Sequence, residues 1–191
     1  EDLLTVMEGA LSRASPHLPQ LIRELFDSDA YPHRPSHVEL IETHISWVFL
    51  AGDFAYKIKK PLALGFLDFR ELEKRHFYCE EEIRLNQRFA PEIYIGVVKI
   101  TLQNGRPRVD GQGVAIEYAV KMHRFDQVLR LDQQLENGLL SAEDMRDLGA
   151  SIAARHEAAD IVPDNLRQHV LALTESQMQD NFTALRSRID D

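Results

Sequence analysis

Cysteine is nearly absent: the single Cys79 excludes an intramolecular disulfide and any four-cysteine zinc site, and it points to a reducing compartment. Long apolar runs are missing too. None approaches the ~18 residues needed to span a bilayer, and the N-terminal stretch has no signal-peptide core. Positive charge is scarce, with 22 Lys+Arg against 31 Asp+Glu in 191 residues and a formal net charge of −9. That balance argues against a general grip on nucleic acid or an anionic membrane, so any polyanion site must be local. The chain has no His-Glu-x-x-His zinc motif, and its eight histidines fall in separate predicted segments. The Gly-x-Ser-x-Gly elbow of serine hydrolases is missing as well. What remains is a soluble, cytoplasmic protein, expected to bind neither nucleic acid nor membrane. At 44% hydrophobic it has residues enough for one substantial core, or for one domain and part of another. Glu1 in place of Met reads as a piece of a longer protein.

Leu18, Leu21, Ile22, Leu25 and Phe26 recur at helical spacing and predict an amphipathic helix over 17–27. The prolines of Tyr31-Pro32-His33-Arg34-Pro35 close it. Three strand-like runs follow at 38–42, 46–50 and 54–59, the last two joined as a hairpin by Ala51-Gly52-Asp53. Pro61 ends the third run. Asp68 then reads as the cap of a long helix over 68–90, with Leu72, His76, Cys79, Ile83 and Ala90 as its packing stripe. On that stripe Cys79 is a buried small apolar residue rather than a nucleophile. Two further strands are expected at 93–101 and 114–122, linked through Asn104-Gly105 and Gly111-Gln112-Gly113. Beyond Phe125 the pattern turns helical, over 126–136, 141–158 and 164–187, with Ser141 and Asp144 at capping-box spacing. The expected fold class is α+β: a roughly five-stranded antiparallel sheet, one long helix against it, an N-terminal helix and several following helices.

Four segments carry a more specific signal: Glu42-Thr43-His44-Ile45-Ser46-Trp47-Val48, Tyr56-Lys57-Ile58-Lys59-Lys60-Pro61, Gly65-Phe66-Leu67-Asp68-Phe69, and Leu85-Asn86-Gln87-Arg88-Phe89-Ala90-Pro91. Together they resemble a bacterial aminoglycoside-phosphotransferase-like family with the protein-kinase-like fold, over residues 37–160. The segment from Leu148 to His156 also looks like the phosphotransferase helix that ends in His shortly after the hinge. The resemblance implies an N-terminal helical extension over 1–36, a kinase-like small lobe over 37–125, and the first helices of a large lobe over 126–191. It implies ATP and magnesium as cofactors and an unknown phosphate acceptor. The implied partners are the rest of the large lobe and, as in many members, a C-terminal P-loop ATPase domain. The chain departs from the pattern at the catalytic step. No His-x-Asp loop followed by Asn, and no metal-binding Asp, is present. His156-Glu157-Ala158-Ala159-Asp160 comes nearest, but its Asp is expected on a helix face four residues after the His. No catalytic residue and no metal ligand is therefore assigned within the chain, the magnesium ligands are expected outside it, and the chain alone is expected to transfer no phosphate. The alternative is a non-catalytic interaction or regulatory module that keeps the small-lobe fold.

A lysine on a strand, followed by a helix whose acidic residues face back toward it, is how kinase-like proteins hold ATP phosphates. Strand alternation places Ala55, Lys57 and Lys59 on one face and Phe54, Tyr56 and Ile58 on the other. In that reading Ala55 lies above the adenine and Lys57 reaches the phosphates. Lys59 is the alternative phosphate lysine, and an exposed basic edge of Lys57, Lys59 and Lys60 is the alternative role. A semi-buried ammonium requires a carboxylate partner. Glu82 lies beside the packing stripe and the resemblance favours it; Glu81 is the alternative, as is a solvated acidic face over 80–82 with Arg84 and Arg88 nearby. Ser46, in Thr43-His44-Ile45-Ser46, is a candidate hydroxyl donor to phosphate, or an ordinary turn residue. Met122, in the crossing segment 119–125, suits an adenine-pocket wall or a core filler.

Overall fold

Turn chemistry places the strands. The computed structural model describes residues 17–64 and 67–189. Strands β1 (Val38–Glu42), β2 (Ser46–Ala51) and β3 (Phe54–Lys59) form an antiparallel meander on the expected runs. The first turn is closed by Thr43, whose Oγ1 accepts from the Ser46 N–H at 3.0 Å while its own N–H donates to the Ser46 carbonyl at 2.9 Å. In the second turn Ala51 pairs with Phe54, and Gly52 takes φ +61 at the first central position, a conformation that glycine adopts without a Cβ penalty.

A short ribbon, β4 (Ala63–Leu64) with β5 (Leu67–Asp68), precedes helix α2 (Leu72–Asn86). The sequence expectation is corrected here at both ends. Asp68 pairs with Ala63 in the ribbon, and its carboxylate accepts from Arg70 Nε at 2.9 Å and Lys74 Nζ at 2.8 Å. Those hydrogen bonds occupy the group that an N-cap would need, and Glu71 occupies the cap position without a side-chain bond. The helix also stops at Asn86, before Ala90. Gly65 and Phe66 of the expected link lie outside the described residues, as do Asp190 and Asp191.

Strands β6 (Tyr94–Gln103), β7 (Arg106–Val109) and β8 (Ala115–His123) complete a six-stranded antiparallel sheet in the order β1-β2-β3-β8-β6-β7. Strand β7 exceeds the expected set. Its Pro107 lacks a ladder N–H, which weakens a strand signal in sequence, yet an edge position tolerates it. The turn into β7 uses Asn104 at φ 51 and Gly105 at φ 75, the positive pair that an Asn-Gly hairpin supplies.

One face of the sheet carries the main core. Leu40, Phe49, Tyr56, Ile58, Ile100 and Val109 pack there with Leu18, Ile22, Leu25 and Tyr31 from the N-terminal segment. That segment forms a shorter helix than expected, α1 (Gln20–Glu24), begun by Pro19. Its side chains still reach the core, and the Tyr31 hydroxyl donates to the Leu25 carbonyl at 2.8 Å. Each fully buried Leu, Ile or Phe contributes about 1.5–3 kcal/mol as an upper estimate.

Gly111 is fixed by space rather than by φ. A Cβ there would lie 2.8 Å from Arg108 Cβ and 3.2 Å from the Arg108 carbonyl, and would collide with the buried Thr101 hydroxyl. Gly111→Ala is expected to destabilise the protein by about 1–3 kcal/mol, the range for overpacking. A urea midpoint equal to that of the unsubstituted protein would remove this account.

The described chain divides between Gly138 and Leu139. Before the division, α3 (Leu131–Glu136) follows β8. After it come α4 (Ala142–Glu157) and α5 (Asp164–Ile189). The capping box expected at Ser141 and Asp144 is present, with the Asp144 N–H donating to Ser141 Oγ at 3.2 Å and the Ser141 N–H donating to Asp144 Oδ2 at 2.8 Å. Met145, Leu148 and Ile152 on α4, and Leu166, Val170 and Leu173 on α5, repeat at helical spacing and are exposed. His156 lies in the last turn of α4, and Asp160 lies beyond its end rather than on a helix face.

Candidate functional site

Strand β3 is flanked by β2 and β8, so it is internal. That corrects the reading of Lys57, Lys59 and Lys60 as an edge block, because an internal strand has no free ladder to protect. Lys60 instead pairs with Glu42 at 2.6 Å, beside the Trp47 ring. Trp47 itself is buried and donates from Nε1 to Glu42 Oε1 at 3.2 Å.

Both lysines of the opposite face converge on one carboxylate. Lys57 Nζ donates to Glu82 Oε1 at 2.8 Å, and Lys59 Nζ donates to Glu82 Oε2 at 2.7 Å. Glu81, the alternative partner, is taken by Arg84 through a pair of hydrogen bonds at 2.8 and 2.6 Å. Glu82 is directed inward by the rotation of α2. The buried residues of that helix are Arg75 and Cys79, and Glu82 follows Cys79 on the same side, whereas Leu72, His76 and Ile83 of the expected stripe are only half-buried. The packing side of α2 therefore carries charge.

The second buried pair anchors this helix. Arg75 donates from Nε to both Glu117 oxygens at 2.9 and 3.0 Å, and from Nη1 to the carbonyls of Phe69 and Arg70 at 2.8 and 2.9 Å. Glu117 belongs to β8, so the contact ties α2 to the sheet. It also satisfies carbonyl groups just before the helix, which fixes the entry of the chain into α2.

Burial pushes the Glu82 carboxyl up, and the Lys57 and Lys59 ammoniums outweigh it, holding the group below its ordinary range. Cys79 lies between the two pairs with its thiol pushed up to about 12 by burial, so at neutral pH it is a packing group rather than a nucleophile. The balance at the site is two ammoniums to one carboxylate. In a chain of net charge −9, this spot carries a surplus positive charge. The lysines differ in access: the Lys57 side chain is 28% exposed and that of Lys59 only 6%.

Ala55 is buried and lies opposite Met122 in the β3–β8 register, and Met122 in turn lies opposite Tyr94 of β6. The Tyr94 phenol is pushed up by burial and by the Glu82 carboxylate. Tyr94 carries no signal in the sequence: its cross-strand position beside Met122 depends on a pairing that only the sheet supplies. One residue along the same strands, an open concavity is lined by Gly52, Asp53, His123, Arg124, Phe125 and Asp126. Ser46 is fully buried at the start of β2, opposite Lys59, and its hydroxyl has no hydrogen-bond partner among the described residues. Among the described residues no group of three or more His, Cys, Asp or Glu is placed to hold a metal ion, and no helix is long and apolar enough to cross a membrane.

Comparison with known proteins finds curated relatives in mycobacteria. The chain is 35% identical over 133 residues to uncharacterized protein Rv2004c of Mycobacterium tuberculosis (strain ATCC 25618 / H37Rv), covering 69% of this chain and 25% of that protein. The same figures hold for uncharacterized protein Mb2027c of Mycobacterium bovis. The chain thus spans a quarter of the length of these relatives. No family model and no solved structure matches it.

Proposed function

We propose that this chain is the nucleotide-binding portion of a cytoplasmic, ATP-dependent phosphotransferase resembling aminoglycoside kinases, with a kinase-like small lobe and the first helices of a large lobe. The observation that carries the reading is the ion pair between Lys57 on an internal strand and Glu82 on the helix packed against the sheet, at 2.8 Å. Strand and helix each fix one partner, so the ammonium is held in place before any ligand arrives, which is the preorganisation that phosphate binding rewards. The surplus charge and the partial exposure of Lys57 fit a polyphosphate, and the Ala55–Met122 pair offers a small, apolar surface beside it.

ATP, with magnesium, supplies the transferable phosphoryl group. Lys57 would contact its phosphates, Glu82 would orient Lys57, and Met122 and Ala55 would line the base pocket. The buried position of Ser46 leaves its hydroxyl a lesser part in this reading. Residues that hold magnesium and position an acceptor hydroxyl are assigned to the longer protein, as is the mass that covers the apolar stripes of α4 and α5. An acceptor and a C-terminal P-loop ATPase domain belong to the same proposal.

Calorimetric titration of the longer protein with ATP and magnesium tests it. Lys57→Met keeps much of the side-chain volume and removes the charge, and is expected to weaken binding at least about tenfold, equivalent to ~1.4 kcal/mol, with the fold retained. Equal binding by both proteins would discard the assignment of Lys57. No binding by the unsubstituted protein would favour the non-catalytic module.

A further inference from the structure

We propose that Arg75 and Glu117 are positioning residues of the nucleotide site: their pair sets the rotation and height of α2, and so delivers Glu82 to Lys57 before a ligand arrives. This rests on the nucleotide-binding reading above, in which the Lys57–Glu82 contact stays closed and Lys57 offers its remaining N–H groups to the phosphates. The contact at Glu82 does not by itself place the helix. Lys57 and Lys59 reach the carboxylate on flexible stems, and an ammonium is a point charge that follows its partner over a range of directions. Apolar packing adds little, because it is non-directional and, among the described residues of α2, only Arg75 and Cys79 are buried.

Arg75 supplies the direction. Its planar fork gives Nε and Nη2 to the Glu117 carboxylate and Nη1 to the Phe69 and Arg70 carbonyls. Glu117 is fixed in turn, because its Oε1 accepts from the Tyr118 backbone N–H at 3.0 Å. Support therefore runs from the β8 backbone through Glu117 and Arg75 into α2. Glu82 stands two turns further along the same side of the helix, about 10 Å on. One tie reaches β8 and the other β3, which are adjacent strands of the sheet. A helix tied at Glu82 alone could turn or slide about that point, and a second tie two turns away on another strand removes both freedoms. His76 and Tyr118, the next residues of α2 and β8, stack with ring centroids 3.9 Å apart, a contact that keeps the helix on the sheet without a directional bond.

The test uses the longer protein and two variants that separate position from stability. The double variant Arg75→Met with Glu117→Met removes both buried charges together and so spares stability, while Arg75→Lys keeps the charge and loses the fork. Circular dichroism first establishes which variants are folded at the assay temperature. In titration with ATP and magnesium, both are expected to bind about tenfold more weakly than the unsubstituted protein, although neither residue touches the ligand. The second readout is the carboxyl ¹³C titration of Glu82 without nucleotide. Its midpoint is expected to rise toward the ordinary carboxylate range in both variants, as the carboxylate leaves its place against Lys57 and Lys59. Cys79 and Tyr94, the other titratable groups beside Glu82, stay neutral through that titration and are present in both variants. A folded double variant with unchanged ATP affinity, or with an unmoved Glu82 midpoint, would overturn the proposal and leave the pair a purely structural one. Where the double variant does not fold, full ATP binding by Arg75→Lys would overturn it equally. If the unsubstituted protein binds no ATP but the Glu82 midpoint rises in the variants, the nucleotide reading falls and the placing of Glu82 by Arg75 and Glu117 stands.

Discussion

Arg75→Met is expected to lower stability by about 3–5 kcal/mol, the range for breaking a buried ion pair by removing one partner. Arg75 and Glu117 are each less than a tenth exposed. Removing the guanidinium strands the Glu117 carboxylate and also frees the Phe69 and Arg70 carbonyls that Arg75 satisfies. Urea unfolding followed by circular dichroism measures the loss as a lower midpoint. A change below about 1 kcal/mol would place the pair with exposed ion pairs of small effect. The double variant Arg75→Met with Glu117→Met removes both charges and is expected to recover much of the loss, since paired apolar replacements are often neutral or better. No recovery would transfer the effect from charge to the backbone contacts before α2.

Glu82→Gln is expected to produce a loss of similar size at neutral pH, about 3 kcal/mol or more, because it leaves two ammoniums beside a neutral amide and one of them is nearly enclosed. The direction of the pH dependence follows from the lowered Glu82 carboxyl. A carboxyl that titrates lower in the folded state than in the unfolded chain contributes stability that is fully present above the unfolded value, about 4.3. That contribution is lost as pH falls through the lower folded value. The gap in stability between the two proteins should therefore be widest near neutrality and should narrow below about pH 4. A gap that stays constant from pH 7 to the acid limit of folding would show that the carboxylate charge is not what Glu82 contributes.

Local pattern made much of the sheet legible. The runs at 38–42, 46–50 and 54–59 appear as β1, β2 and β3 almost residue for residue, because alternation and the Gly52 turn are short-range properties. The face shared by Ala55, Lys57 and Lys59 followed from the same period. The start of α2 is not legible in the sequence because Asp68 has the chemistry of a cap, and only the ribbon with Ala63 and the cations Arg70 and Lys74 show where its carboxylate is used. The packing stripe of α2 is hidden in the sequence for a related reason. Arg75 looks like a surface residue until Glu117, 42 positions away, is brought against it.

Sequence by itself determined the α+β class, the meander, the lysine face of β3 and the presence of an acidic helix after it. These depend on residue periods and turn types that neighbours along the chain impose. Tertiary structure alone decided that β3 is internal, that β7 adds an edge, and that Lys59 shares Glu82 with Lys57. The reason is the distance along the chain: burying a charge is tolerable only where its counter-charge arrives. For Glu82 that partner comes from 25 residues away and for Arg75 from 42, separations at which no local pattern specifies a contact.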